Sequence, residues 1–277
     1  MKRILIIPLL SVFVLLVFVK SGLALNPKGS RGTLKGLKSP KIELFNGKDL
    51  SGWYTFIKNK GKNNDPNNVF TVQNGLIRVS GQDFGCITTD NEYGNYQLEI
   101  DFKWGEKTFP PRVNKARDSG VFVHSIGKDG TASESWMQAI EIQVIEGGTG
   151  DIIVVGNNSS DFSITSTVGP EKEDSSFVFR PNGTPETIIG DRVNWLARDP
   201  QWKDVIGFRG AKDVEKPHGE WNKLKIIALG SKITVYLNGT FVNYTYDVHP
   251  QKGKIQIQSE GAEIFFKRVE IKQLISN

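Results

Sequence analysis

The stretch Tyr96-Gln97-Leu98-Glu99-Ile100-Asp101-Phe102-Lys103-Trp104 decides the fold. Leu98, Ile100, Phe102 and Trp104 alternate with Gln97, Glu99, Asp101 and Lys103, a period of two that only a half-buried strand satisfies. The same texture recurs from Leu76 to Val79, Val121 to Val123, Ile140 to Ile145 and Leu224 to Ala228. It continues from Ile233 to Leu237, Ile255 to Ile257 and Ile264 to Ile271. Asn74-Gly75 and Asn238-Gly239 stand between such runs and predict tight hairpins, because both residues tolerate positive φ. No stretch after the leader repeats apolar residues every 3.6 positions with caps, so few helices are expected. Many short strands with regular turns predict an all-β sandwich of two antiparallel sheets, a jelly roll. Residues 149–218 are richer in Gly, Pro, Asn and Asp and read as long loops and short strands grafted onto it.

Of the 277 residues, 38% are hydrophobic and 23% charged. Three of the 35 Lys and Arg (Lys2, Arg3, Lys20) fall in the first 24 residues, so the remainder carries 32 against 30 Asp and Glu. That near-neutral balance gives no electrostatic case for nucleic acid. The single Cys86 makes no internal disulfide and reads as a buried, inert residue. Lys2 and Arg3 precede an apolar run from Ile4 to Val19, followed by Ser21-Gly22-Leu23-Ala24. This is the pattern of a secretory signal cut after Ala24. Sixteen residues fall short of the ~20 that span a bilayer, so no stable membrane insertion is expected once the leader is removed; an uncleaved membrane anchor is the alternative. The expectation is 1–24 leader, 25–40 basic Gly/Ser/Pro-rich linker, 41–273 one β-sandwich domain, and an exported product, periplasmic or extracellular.

Three segments could carry chemistry. In Glu141 to Asp151 (EIQVIEGGTGD), Ile140, Ile142 and Val144 form the core face, and Glu141 and Gln143 share the opposite one. Glu146 at the strand end and Asp151 beyond a Gly-rich turn would bring four polar groups to one rim; a solvated strand face is the alternative. His124 ends the strand begun by Ser119-Gly120 and is a candidate acid/base, since imidazole titrates near neutrality, or else a packing His. In QSEGAE, Gln258 alternates away from Ile255 and Ile257, and Glu260 sits at the turn. Trp136 reads equally as a stacking platform for a sugar ring or as core. There is no G-x-S-x-G elbow, P-loop, zinc spacing or H-E-x-x-H. No cofactor is expected; no EF-hand-like spacing appears, and the sequence leaves a divalent cation open.

Taken together, LFNGKDLSGW (Leu44 to Trp53), YGNYQLEIDFKW (Tyr93 to Trp104), DSGVFVH (Asp118 to His124) and WMQAIEIQVIEGGTGD (Trp136 to Asp151) resemble the 3-keto-disaccharide hydrolase domain family. GEWNKLKI, ITVYLNG and GKIQIQSEGAEIFFKRVEIK extend the resemblance in order to Lys272. Many members carry Asn where this chain has Asp118 and His where it has Glu260. The resemblance implies a concanavalin A-like jelly roll and an enzyme that cleaves glycosides already oxidised at C3, with a carbohydrate as its partner. For that chemistry the residues read above are assigned as Glu141 or Glu146 for the base and His124 for the acid or enolate partner. Gln143 and Gln258 would bind sugar hydroxyls, and Glu260, Trp136 and Asp151 would complete the substrate contacts. His124, Glu141, Gln143, Glu146 and Gln258 are expected on one sheet face. A non-catalytic carbohydrate-binding module is the alternative.

Glu141 to Glu146 is also similar to the Glu-x-Asp-x-x-Glu signature of retaining β-glucanases, with Gln143 in place of Asp. That chemistry needs carboxyl groups about 5–5.5 Å apart, whereas five extended residues span roughly 16 Å. The odd spacing also reverses the face, so this reading requires a β-bulge between the two.

Overall fold

A computed structural model describes residues 41–156 and 158–275. The expected leader and linker, residues 1–40, lie outside the described residues. Every described secondary element is a strand, and each of the eight predicted runs falls within one. Gln73 pairs with Leu76 across Asn74-Gly75, and Leu237 with Thr240 across Asn238-Gly239. All four turn residues have positive φ, 52° and 75°, then 51° and 85°.

The strands form two sheets. In the first, the Tyr96–Thr108 strand lies between Asn222–Leu229 and Ala262–Gln273, antiparallel to both. The second runs in the order Phe177–Val178, Arg192–Asn194, Ile152–Val155, Gln138–Ile145, Asp118–Ile126, Lys252–Ser259, Gly85–Thr89, Trp53–Ile57, Gly61–Lys62. Only the Phe177–Val178 pairing there is parallel. Leu98, Ile100, Phe102 and Trp104 of the first sheet share one buried core with Val121, Val123, Ile140, Ile142, Val144, Ile255 and Ile257 of the second. Each sheet therefore has one face in the core, as sandwich packing requires, and alternation sends the intervening residues of the second sheet outward.

On that outer face the registers define two rows. One runs Arg192, Ile153, Glu141, Phe122, Gln256, Thr88. The next pairs Gln143 with Gly120 and Gln258 with Cys86, with Gly120 adjoining Gln258 because Val121 pairs with Ile257. Part of the face is roofed by a second apolar cluster of Cys86, Phe122, Ala132, Trp136 and Ala139. Cys86 is fully buried there and its thiol is pushed up to about 12, chiefly by burial.

Candidate active site

Glycine at position 120 creates the room in which the site forms. A Cβ on Gly120 would strike Glu141 Oε1 and lie 3.1 Å from Gln258 Oε1. Two side chains from flanking strands thus converge over a residue with no side chain of its own. Glu141, Gln143 and Gln258 are all buried. Gln143 donates from Nε2 to Asp118 Oδ1 at 2.8 Å. Glu141 Oε1, Gln143 Oε1 and Gln258 Oε1 find no hydrogen-bond partner among the described residues. Buried polar atoms in folded proteins are almost always satisfied, so three unsatisfied oxygens in two adjacent rows describe a place for a ligand rich in hydroxyl donors.

The electrostatics are dominated by three acids. Glu141 is raised well above the usual carboxylate range by burial, then by the negative charges of Glu260 and Asp118. Asp118 is raised by burial and by Glu260, against the pull of Arg112 and Arg192. Arg112 Nη2 stands 3.4 Å from Asp118 Oδ2. Glu260 is raised by burial to about 7, with Arg112, a Gln258 hydrogen bond and Arg192 holding it down. Carboxyls crowded in a low-dielectric site cannot all ionise. Glu260, at about 7, is held down by two arginines and a hydrogen bond, while Glu141 is raised well above the carboxylate range. Raised carboxyls grouped in one site are the kind of groups that general acid–base chemistry near neutral pH uses.

Asp151 is fully buried and serves as the fixture behind Arg192. It accepts from Arg192 Nε and Nη2 at 3.0 and 2.5 Å, from the Trp195 backbone N–H at 2.6 Å, and from Arg198 Nη1. Burial disfavours the Arg192 cation, but Asp151, then Asp118 and Glu141, hold it charged and raise its pKa. The expected substrate contact at Asp151 is corrected to a positioning role, since its carboxylate is occupied by cations and backbone.

Two expected catalytic residues are not in this cluster. Glu146 accepts the Arg117 and Gly207 backbone N–H groups at 2.9 and 2.8 Å on Oε2, and Arg117 Nη1 at 2.7 Å on Oε1. Three donors hold the carboxylate, two on Oε2 and one on Oε1, and through Gly207 it ties the 199–215 segment to the strand end. The register from Ile140 to Ile145 runs unbroken against Val123 to Asp118. The bulge that a Glu141/Glu146 glucanase pair requires is absent from that run.

His124 is the second. A register break beside it and a φ of 54° carry its ring to the core side, where it meets the Tyr96 ring edge-on at 6.0 Å. Its Nδ1 lies 2.8 Å from Pro250 O, and burial lowers its pKa to about 4. It is a neutral packing histidine. Trp136, 6% exposed, is wedged between Phe122 and the partly exposed Phe84 at centroid distances of 5.6 and 6.3 Å, and so belongs to the roofing cluster.

Sequence reasoning passed over Asp118, Arg112 and Arg192 as site groups. Arg192 had a readable signal, since Arg192 and Asn194 alternate with Val193 and Trp195; Arg112, in an irregular loop, had none. Among the described residues no group of three or more His, Cys, Asp or Glu is arranged to hold a metal ion.

The two-sheet sandwich and the family model that matches it define a carbohydrate-active jelly-roll protein. Within that class the chain belongs to the 3-keto-alpha-glucoside-1,2-lyase-like domain family, whose model matches residues 40–272. No curated protein matches the chain. Among solved structures it is similar to a "putative glycosyl hydrolase" of Parabacteroides distasonis ATCC 8503, at 21% identity and a TM-score of 0.48, over 85% of this chain and 94% of that one. It is also similar to the Bacillus licheniformis β-glucanase, at 14% identity and a TM-score of 0.44, over 85% and 98% of the two chains. The carbohydrate-binding module CBM66 of Bacillus subtilis is similar at 14% identity and a TM-score of 0.40, over 79% and 94%.

Proposed function

We propose that the protein is an exported enzyme that cleaves 3-keto-glycosides by elimination followed by hydration. A ketone at C3 acidifies the proton on C2. Glu260 takes that proton, and the electron pair forms an enolate across C2, C3 and the C3 oxygen. Arg192, fixed by Asp151, holds the developing charge in a site where such fixed cations act most strongly. Collapse of the enolate restores the ketone, forms the C1–C2 double bond and breaks the bond from C1 to the leaving oxygen, which takes its proton from Glu141. Water then adds, hydroxyl to C1 and proton to C2, so the net change is hydrolysis. Gln143 and Gln258 offer their carbonyl oxygens to sugar hydroxyls.

The observation that carries this reading is the convergence of buried Glu141, Gln143 and Gln258 around Gly120, with three unpartnered oxygens, close to the raised carboxyls of Asp118 and Glu260 and to an arginine fixed by Asp151. Family membership supports the keto substrate, and the leader pattern of residues 1–24 supports export. The test is to incubate pure protein with a 3-keto-glucoside and with the matching ordinary glucoside. Release from the keto sugar alone is expected. No release from it, with the fold intact by circular dichroism, overturns the proposal.

A further inference from the structure

Arg112 stands between two carboxylates from different parts of the chain. Its Nη2 donates to Asp204 Oδ1 at 2.8 Å and to Ala116 O at 2.7 Å, and its Nη1 donates to Asp204 Oδ2 at 3.3 Å. The same Nη2 is 3.4 Å from Asp118 Oδ2 in the acid cluster. The stem is placed as closely as the head: a Cβ on Gly261, the residue after Glu260, would lie 2.5 Å from Arg112 Cγ. A planar guanidinium gripped by both oxygens of one carboxylate cannot turn without losing both bonds. Asp204 therefore fixes where the Arg112 charge sits against Asp118 and beside Glu260.

Asp204 belongs to the strand-free stretch between Asn194 and Asn222. Two residues beyond the Arg112–Asp204 pair in each segment, the Ile206 backbone N–H donates to Asn114 O at 3.1 Å, so the two segments run side by side. The Asp204 side chain is 32% exposed, against 13% for Arg112 and 7% for Asp118. It stands behind the arginine, on the solvent side. Its charge nevertheless reaches the cluster: Asp204 raises Asp118, while Arg112 pulls both Asp118 and Glu260 down. The other charged groups in play are Glu141 and Arg192 on the sheet face, and Lys115, whose Nζ is 3.4 Å from Asp204 Oδ2. Arg192 is occupied by the fully buried Asp151. Arg112 is thus the cation of the site whose partner is an accessible carboxylate.

Resting on the proposed function, we infer that Asp204 is a positioning residue: it shares the Arg112 guanidinium with Asp118, limits how much of that charge reaches the acid cluster, and so sets the pH range in which the site works. Asp204→Asn removes the charge and keeps an oxygen for Arg112, which then acts on Asp118 and Glu260 alone. The acids ionise at lower pH, and the rising limb of kcat/KM on a 3-keto-glucoside should move from about 7 down by about one pH unit, the smaller end of what one nearby charge does. Asp204→Glu, which keeps the charge, should leave the limb near 7. A limb that stays put or moves up in Asp204→Asn, with or without a loss of rate at every pH, overturns the inference, as does an equal shift in Asp204→Glu. A readout without turnover keeps the two proposals separable: carbon-13 NMR titration of protein labelled at the Asp and Glu carboxyl carbons, with the signals assigned by their absence in Asp118→Asn and Glu260→Gln. A downward shift of either titration in Asp204→Asn supports the inference even if wild-type protein cleaves no keto sugar, and unchanged titrations overturn it even if it does. In an Arg112→Gln background Asp204→Asn should move them by less than half as much, because the effect runs through Arg112; an undiminished shift overturns that route.

Discussion

Replacing Gly120 with Ala separates activity from stability at a single atom. Gly120 does not lie in the positive-φ region, so the backbone accepts Ala without strain, and the substitution alone would stabilise the strand by roughly 0.5–1 kcal/mol. The new Cβ, however, occupies the space of Glu141 Oε1 and touches Gln258 Oε1. To restore an ordinary contact the Glu141 carboxyl must shift by on the order of 1 Å, and a displacement of that size typically costs ~100-fold in rate when the group is an acid or base. Overpacking costs about 1–3 kcal/mol, partly offset by the backbone gain. Tm should therefore fall by about 10 °C at most, at ~2–4 °C per kcal/mol for a domain of this size. The assay is kcat/KM on a 3-keto-glucoside beside a thermal melt. A G120A protein with more than a third of wild-type kcat/KM would refute the placement of Glu141 at the reacting centre.

Glu260→Gln should lower kcat at least 100-fold. In the wild type the rate should climb with pH through about 7 as Glu260 ionises; a flat profile between pH 6 and 8 speaks against Glu260 as the base. Glu215 is fully buried, accepts from Trp104 Nε1 at 2.6 Å and Thr149 Oγ1 at 3.0 Å, and is raised to about 8, chiefly by burial. A carboxyl raised on folding contributes stability present below its unfolded pKa of about 4.5 and lost as pH rises through about 8. Glu215→Gln should therefore flatten the fall of stability between pH 5 and 8.5, by on the order of 2–4 kcal/mol at the upper end; identical slopes by denaturant titration would contradict it. Asp151→Ala strands the buried Arg198 and the half-buried Arg192 and should cost ~3–5 kcal/mol, read as a Tm drop of about 10 °C, together with loss of activity. His124→Gln should leave kcat within threefold while lowering Tm; a large loss of kcat at unchanged KM would return His124 to the mechanism.

The alternation in Tyr96 to Trp104 and Ile140 to Val144 determines by itself that these segments are strands, which residues face the core, and that Glu141 and Gln143 face away from it. The side-chain period of a strand is two and water sorts the faces, so no partner need be known. Gln258 was legible for the same reason, and the two Asn-Gly hairpins because φ > 0 is a local property. Where pairing or long-range contact decides, the sequence was silent or misleading. A bulge beside His124 turned its ring into the core, since a slip of one residue exchanges faces. Glu146 carries the same carboxyl as Glu141, yet backbone N–H groups from Arg117 and Gly207 consume it, one of them 61 residues away. Glu260 is held down by Arg112 and Arg192, from distant segments, while its charge and burial push Glu141 and Asp118 up. Burial and charge separation are properties of the assembled sandwich, and they, rather than residue type, set Glu141, Asp118 and Glu260 apart from the tied carboxylates of Glu146 and Asp151.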